Sequence, residues 1–360
     1  ASEAIRLPDT GEKMRWLERE QENLRATLEW AHEYQEGEFG LTLAISLAEY
    51  WVARGHVIEG KYQVSQFLAQ VTDAPLLQAQ GELSLALLTR AQGQYGEAEA
   101  AARAALAHTS GIEQPLLEAR LYILLATIEF TREAYTEAKH SLEVALERAR
   151  VSNDTECQAR ALQNLGNIAM EEYAWEEAQS YFEEAHHMVR SSLGSSATAG
   201  ILNNLGLIAR YRGQYALALT LLDESLQLHV KIGEVPGIAI AQLNQATILR
   251  LLGRLTEACL LLKEALLHAQ ESRELRARAW CWKEWGHLFQ TEGNASAATL
   301  LLSASEAERL RLGINFRPAD PAALNDACAL LQQELGDSEF QSLWQQGQYL
   351  TQAQLDEMLI

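Results

Sequence analysis

Apolar side chains along this chain return at steps of three and four, the spacing of one helical face, and no stretch keeps the strict alternation of a half-buried strand. Above that short period lies a longer one of forty residues. Gly93-Gln94-Tyr95, Glu133-Ala134-Tyr135, Tyr173-Ala174-Trp175, Gly213-Gln214-Tyr215, Gly253-Arg254-Leu255 and Gly293-Asn294-Ala295 recur without slippage. Three residues after each triplet stands an alanine: Ala98, Ala138, Ala178, Ala218, Ala258 or Ala298. Twelve residues before each of those stands another small residue: Ala86, Ala126, Gly166, Gly206, Ala246 or Gly286. Leu85, Leu125, Leu165 and Leu205 precede the first small position, and Leu142, Phe182, Leu222, Leu262 and Leu302 follow the second by four. The pattern predicts helical hairpins: a small residue on each helix lets the backbones approach, and the glycine-like triplet reverses the chain. Each hairpin then has an apolar face that only a neighbouring hairpin covers, so a fixed period decides architecture before local propensity does.

The boundaries follow from where the rhythm starts and stops. Residues 1–36 read as an N-terminal arm and capping helix, with Leu17, Leu24, Leu28 and Ala31 on one stripe. About seven hairpins fill 37–310, at 37–74, 75–114, 115–154, 155–194, 195–234, 235–274 and 275–310. The first is looser, built on Leu47, Ala48, Gly55 and Gly60, and the last has Ala295 where the aromatic belongs. Residues 311–360 form a linker holding Pro318 and Pro321, then closing helices over 322–336 and 338–348.

The order of Leu-Gly, Gly-x-Tyr and Ala resembles the tetratricopeptide repeat, most closely in Asn164-Leu165-Gly166 through Ala178 and Asn204-Leu205-Gly206 through Ala218. The usual unit is about six residues shorter. Longer helices or longer inter-repeat turns are therefore expected, in segments such as EQPLLEAR and SSLGSSATAG. The resemblance implies an all-α, right-handed superhelical solenoid of such hairpins with helical caps at both ends. LEREQENLRATLEWA, YWVARGHVIEGKYQVSQFLA and the tail from RLGINFRPADPAA onward are similar to the C-terminal region of bacterial STAND signalling proteins. That resemblance implies a sensor arm that follows a nucleotide-binding switch and an effector domain of the same polypeptide. No G-x-x-x-x-G-K-[ST] occurs here, and Gly60-Lys61 is followed by Tyr62, so ATP hydrolysis is not assigned to these residues. The chain opens on Ala1 rather than Met, which points to a piece of a longer protein.

Composition narrows the partners. Lys and Arg number 29 against 49 Asp and Glu, a formal charge of -20 that disfavours direct nucleic-acid binding. Cys157, Cys259, Cys281 and Cys328 lie far apart, as expected of reduced thiols in a cytoplasmic protein. No apolar run reaches the length of a membrane span.

Candidate chemistry is sparse. Glu183-x-x-His186 and Glu184-x-x-His187 have the spacing of carboxylate-bridged metal bundles, but no other repeat supplies a matching pair, so neither metal nor cofactor is expected. No nucleophile, base and acid share a recognisable spacing, so no catalytic residue is assigned. Trp282 and Trp285 read as seam-filling core, whereas Trp280 falls in the register of the inner face.

In tetratricopeptide arrays the first helix of each pair lines the inner surface, and the resemblance carries four positions per unit to this chain. They are Gln80, Leu83, Leu87 and Arg90; Arg120, Ile123, Thr127 and Phe130; Arg160, Gln163, Asn167 and Met170; Gly200, Asn203, Leu207 and Arg210; Ile240, Leu243, Thr247 and Arg250; and Trp280, Lys283, His287 and Gln290. None is acidic. This predicts a cationic groove in which Arg90, Arg120, Arg160, Arg210, Arg250 and Lys283 pair with anions. Gln163, Asn167 and Asn203 would bond a backbone, Phe130, Met170 and Trp280 would supply apolar anchors, and His287 belongs to the same groove. An acidic peptide, a protein segment or a phosphorylated small molecule suits it. In the competing reading the arginines bridge neighbouring helices or pair with acids of the second helices. Asn164, Asn204 and Asn244, one place along, are expected to bond between repeats. Two functions stay open: a ligand-sensing arm coupled to a switch, and a constitutive protein-interaction scaffold.

Overall fold

The structure, a computed structural model, describes residues 10–189, 196–312 and 320–359. The arm residues 1–9, the first part of SSLGSSATAG, and the linker residues 313–319 with Pro318 lie outside the described residues. Among the described residues there are nineteen helices and no strand. Helices α1 (Thr10–Arg19) and α2 (Gln21–Glu33) lead into α3 (Gly37–Arg54), α4 (Val57–Leu68), α5 (Pro75–Ala91), α6 (Tyr95–Thr109), α7 (Pro115–Thr131) and α8 (Tyr135–Val151). There follow α9 (Thr155–Glu171), α10 (Trp175–Val189), α11 (Ser196–Tyr211), α12 (Tyr215–Ile232), α13 (Val235–Leu251), α14 (Leu255–Glu271), α15 (Leu275–Thr291) and α16 (Ala295–Arg311). The C-terminal region adds α17 (Asp320–Leu335), α18 (Asp337–Gly347) and α19 (Gln352–Leu359).

The forty-residue period has a simple origin in helix length. Helices α7 and α8 are each 17 residues long. Residues 132–134 and 152–154 are the turns that complete the unit. The six residues beyond the usual repeat thus lengthen helices rather than loops, and Pro115 of EQPLLEAR opens α7, where its missing N–H costs no hydrogen bond.

Every hairpin turn uses the same backbone device. The first residue of each triplet adopts a left-handed conformation: Gly93 (φ 75°), Glu133 (61°), Tyr173 (66°), Gly213 (73°), Gly253 (73°) and Gly293 (81°). The next N–H then bonds five residues back, as in Gln94 to the Thr89 carbonyl (2.9 Å) and Gln214 to the Ala209 carbonyl (2.9 Å), the Schellman arrangement. The small positions face the second helix closely. A Cβ on Gly206 would lie 2.8 Å from Leu222 Cγ, and one on Gly286 would lie 2.8 Å from Leu302 Cγ.

The chain divides into two compact units, residues 1–168 with 187–189 and residues 169–186 with 190–360. In the first, Leu28 and Ala31 of α2 join Leu41, Trp51, Phe67 and Leu88 in one core. The expected single capping helix is two helices interrupted at Glu20, although hydrogen bonds from Glu20 to Trp16 and from Leu24 to Glu20 carry the helical ladder across. In the second unit, Leu243, Leu262, Trp282, Trp285 and Leu301 pack with Leu355 and Leu359 of α19. Trp282 and Trp285 therefore fill core, as expected. Helix α18 lies tightly on α16, where Ser303 Oγ donates to the Trp344 carbonyl (2.5 Å). Helix α19 is tied down by Arg278 to Gln352 (2.8 Å) and Gln270 to Asp356 (2.9 Å).

Tyr173 is more than half exposed and bears the left-handed strain of a bulky side chain. Tyr173→Gly is expected to raise stability by about 0.5–1 kcal/mol, the steric relief less the added entropy of the unfolded glycine, read from the urea midpoint.

Candidate functional site

The first helices of three successive hairpins in the second unit, α11, α13 and α15, present their free faces side by side. Their alanines and glycines are consumed by the second helices, which leaves larger polar and apolar side chains for this face. Asn203, Leu207, Arg210 and Tyr211 of α11, Ile240, Leu243, Asn244 and Thr247 of α13, and Trp280, Lys283 and Glu284 of α15 line one small, half-open pocket of about 60 Å³.

Hydrogen bonds fix the pocket's polar edge. Asn244 Nδ2 donates to Asn203 Oδ1 (2.8 Å), and Asn203 Nδ2 to Asn204 Oδ1 (3.4 Å), so the recurring asparagines bond between and within repeats. Thr247 turns its hydroxyl back to the Leu243 carbonyl (2.9 Å) and shows the pocket its methyl group. Arg210 lies over the Tyr211 ring (4.6 Å), and that ring stacks on Trp175 (4.8 Å). The guanidinium thus rests against an aromatic ring that is itself stacked, a cation–π contact. Arg276 covers the Trp280 ring in the same way (5.6 Å).

Glu284 was absent from the inner-face register because it stands one residue past Lys283. It is buried, and Arg250 Nε bonds its Oε2 at 3.0 Å. Burial alone would push this carboxyl up, yet the fields of Arg250, Lys283, His287 and Arg210 outweigh it and hold it at about 2. His287 is pushed down, chiefly by burial, with Glu284 opposing and Arg250 and Lys283 assisting. One locked carboxylate thus lies in the fields of three permanent cations, of which Arg210 and Lys283 line the pocket. Arg250 is the arginine that pairs with an acid across helices, as the competing reading of the groove has it.

Arg90, Arg120, Phe130, Arg160, Gln163 and Asn167 belong to the first unit and do not line this pocket. Arg90 is half-buried, and its Nε lacks a hydrogen-bond partner among the described residues. Arg120 is exposed beside Cys157, whose thiol is pushed up to about 11 by burial and by Asp154. Phe130 packs against Tyr135 (5.5 Å). Arg160 is exposed and bonded to Glu156 of its own helix (2.9 Å), while Gln163 and Asn167 are half-buried. Glu183 accepts from Gln179 (2.5 Å), and among the described residues no group of three or more His, Cys, Asp or Glu side chains is gathered as a metal site would require. No described helix is long and apolar enough to cross a membrane. Tyr211 and Arg276 escaped the sequence reading as well, and each is legible afterwards only as a ring or cation adjacent to a register position.

If the buried pair holds this pocket, Arg250→Met should cost about 3–5 kcal/mol by leaving Glu284 without its partner. Because Glu284 is depressed below the ordinary 4.5, its contribution is complete above pH about 4.5 and is lost as the pH falls toward 2. Urea midpoints measured across that window should fall for the natural chain and stay flatter for Glu284→Gln.

Residues 157–229 match the family model of the tetratricopeptide repeat. No curated protein sequence gives a significant match. The fold is similar to that of the STAND protein with a tetratricopeptide repeat sensor from Pyrococcus horikoshii, with a TM-score of 0.61 at 16% identity over 96% of this chain and 53% of that one. This chain therefore spans about half of that protein's length. The apo form of RapI is similar with a TM-score of 0.61 at 16% identity, over 76% of this chain and 98% of that one. A Rap protein complexed with Competence and Sporulation Factor gives 0.58 at 14% identity, over 89% and 98%. Residues 157–229 thus carry the tetratricopeptide repeat, and the all-α helical-hairpin fold of the chain is similar to the folds of these proteins.

Proposed function

We propose that this array is a non-catalytic sensing domain, and that the α11–α13–α15 pocket receives the anionic group of its ligand or partner. The observation that carries the reading is Arg210, lying over Tyr211, together with Lys283 in a pocket that Leu207, Ile240, Leu243 and Trp280 line along with Asn203, Asn244, Thr247 and the Arg250-paired Glu284. A guanidinium pairs a carboxylate or phosphate in two-point fashion, and the apolar side chains accept what the anion is attached to. An acidic peptide, a protein segment or a phosphorylated small molecule carries such a group. The Rap protein solved with Competence and Sporulation Factor supports reading this kind of array as one that holds a partner.

The likeness to a STAND protein supports a further step, in which binding alters how the array meets a nucleotide switch preceding it in the same polypeptide. A constitutive interaction scaffold would use the same pocket without that coupling. Coding sequence upstream of Ala1 separates the two: a phosphate loop followed by a helical segment supports the sensor, and an unrelated domain supports the scaffold.

Titration calorimetry with a glutamate-rich peptide and with a phosphopeptide tests the pocket itself. Arg210→Glu is expected to weaken whichever binds by roughly a hundredfold while the chain stays folded by circular dichroism, with the thermal midpoint lowered by the weaker cationic field at Glu284, as loss and reversal of a charge-assisted pair implies. Equal weakening by Arg120→Glu/Arg160→Glu, with Arg210→Glu inert, would move the site to the first unit.

A further inference from the structure

At the corner between α2 and α3 in the first unit, three aromatic side chains stand in solvent. Trp30, Tyr34 and Phe39 are 46%, 60% and 48% exposed. They form one cluster, with Trp30 stacked on Tyr34 (centroids 5.3 Å apart) and edge-on to Phe39 (6.0 Å). The core does not require them, because α2 is already anchored by buried Leu28 and Ala31, by Arg25 bonded twice to Glu59 (2.7 Å each), and by His32 stacked on Phe67 (3.9 Å). A contiguous apolar patch of this kind on a rigid helix is the usual mark of an interaction surface.

The charge around the patch identifies what it accepts. Glu29, Glu33, Glu36 and Glu38 surround it in sequence and are exposed, and among the described residues none of the four is held by an ion pair or a side-chain hydrogen bond. No lysine or arginine occurs between Arg25 and Arg54, and those two are bound to Glu59 and Glu18. A purely apolar partner would strip water from these carboxylates without replacing it. An acidic partner, or a second copy presenting the same corner, would set carboxylate against carboxylate. A cation satisfies both halves of the surface, lying over an aromatic face while a neighbouring carboxylate bonds it.

We propose that the α2–α3 corner docks an arginine- or lysine-bearing segment of a partner protein, a site separate from the anion pocket of the second unit. The test uses the full chain and a fluorescein-labelled peptide of about 15 residues rich in arginine and leucine, with its glutamate-for-arginine counterpart as control, followed by anisotropy. Trp30→Ala and Glu29→Lys/Glu33→Lys are each expected to weaken arginine-peptide binding by about tenfold or more. Glu143→Lys/Glu147→Lys, which makes the same charge change on the exposed face of α8, is expected to alter it by less than about twofold. The proposal is overturned if the natural chain shows no saturable binding, if Trp30→Ala binds normally, or if the α8 variant weakens binding equally, which would reduce the effect to overall charge. Concentration-dependent self-association that Trp30→Ala removes, without peptide binding, would overturn it in favour of a second copy.

Discussion

The close approach of two helix backbones within each hairpin constrains everything else in this protein. Gly206 beneath Leu222 and Gly286 beneath Leu302 leave no space for a side chain, and elsewhere the position tolerates only the methyl of Ala86, Ala126 or Ala246. With the backbones this near, the connecting turn has only three residues to reverse direction, and a left-handed residue with a five-back hydrogen bond achieves it. Once the helices lie together, their remaining apolar residues form a face that water penalises until another hairpin covers it. That is why the period holds to forty residues even where the triplet is Glu-Ala-Tyr or Tyr-Ala-Trp: the geometry tolerates the strain of a non-glycine residue more readily than a change of length.

Charge is distributed on top of this scaffold in a consistent manner. Basic residues at one hairpin reach acids at an adjacent one, as Lys61 does to Glu97, Arg132 to Glu99 and Arg212 to Glu176. Such exposed pairs align neighbours while adding little stability each. The Arg250–Glu284 pair is different, because both partners are buried and the carboxylate stays ionised only through the cations around it. It joins α13 to α15 at the floor of the pocket, so the site's electrostatics and the stacking of those hairpins rest on the same contact.

Two surfaces of opposite chemistry emerge, each inside its own unit. The pocket on α11, α13 and α15 is cationic and concave, suited to an anionic group with an apolar attachment. The α2–α3 corner is aromatic and acidic, suited to a cation. On the two proposals, an array with a formal charge of -20 that sets Arg210 in a pocket and leaves aromatics outside among carboxylates would separate its partners by charge before any shape is matched.

The all-α class, the hairpin repeat and its forty-residue length are legible in the sequence because small residues, turn residues and apolar stripes are local requirements that repeat wherever the hairpin repeats. So is the core role of Trp282 and Trp285, which share the register of buried positions. The division of α1 from α2 at Glu20 is not, since no proline or glycine marks it and the helical hydrogen bonds continue through it. Nor does the sequence reveal that Arg160 is engaged by Glu156 while Arg210 rests on Tyr211 and Trp175. Both occupy register positions on first helices, and a register specifies the direction of a side chain without naming what stands opposite. Glu284 shows the same limit most clearly: by sequence it is one residue off the inner face, and only the packing of α13 against α15 brings it to Arg250. Helix pairing is a property of the repeat itself, whereas pairing of charges depends on side chains roughly a repeat apart meeting in space, and that the tertiary structure alone decides.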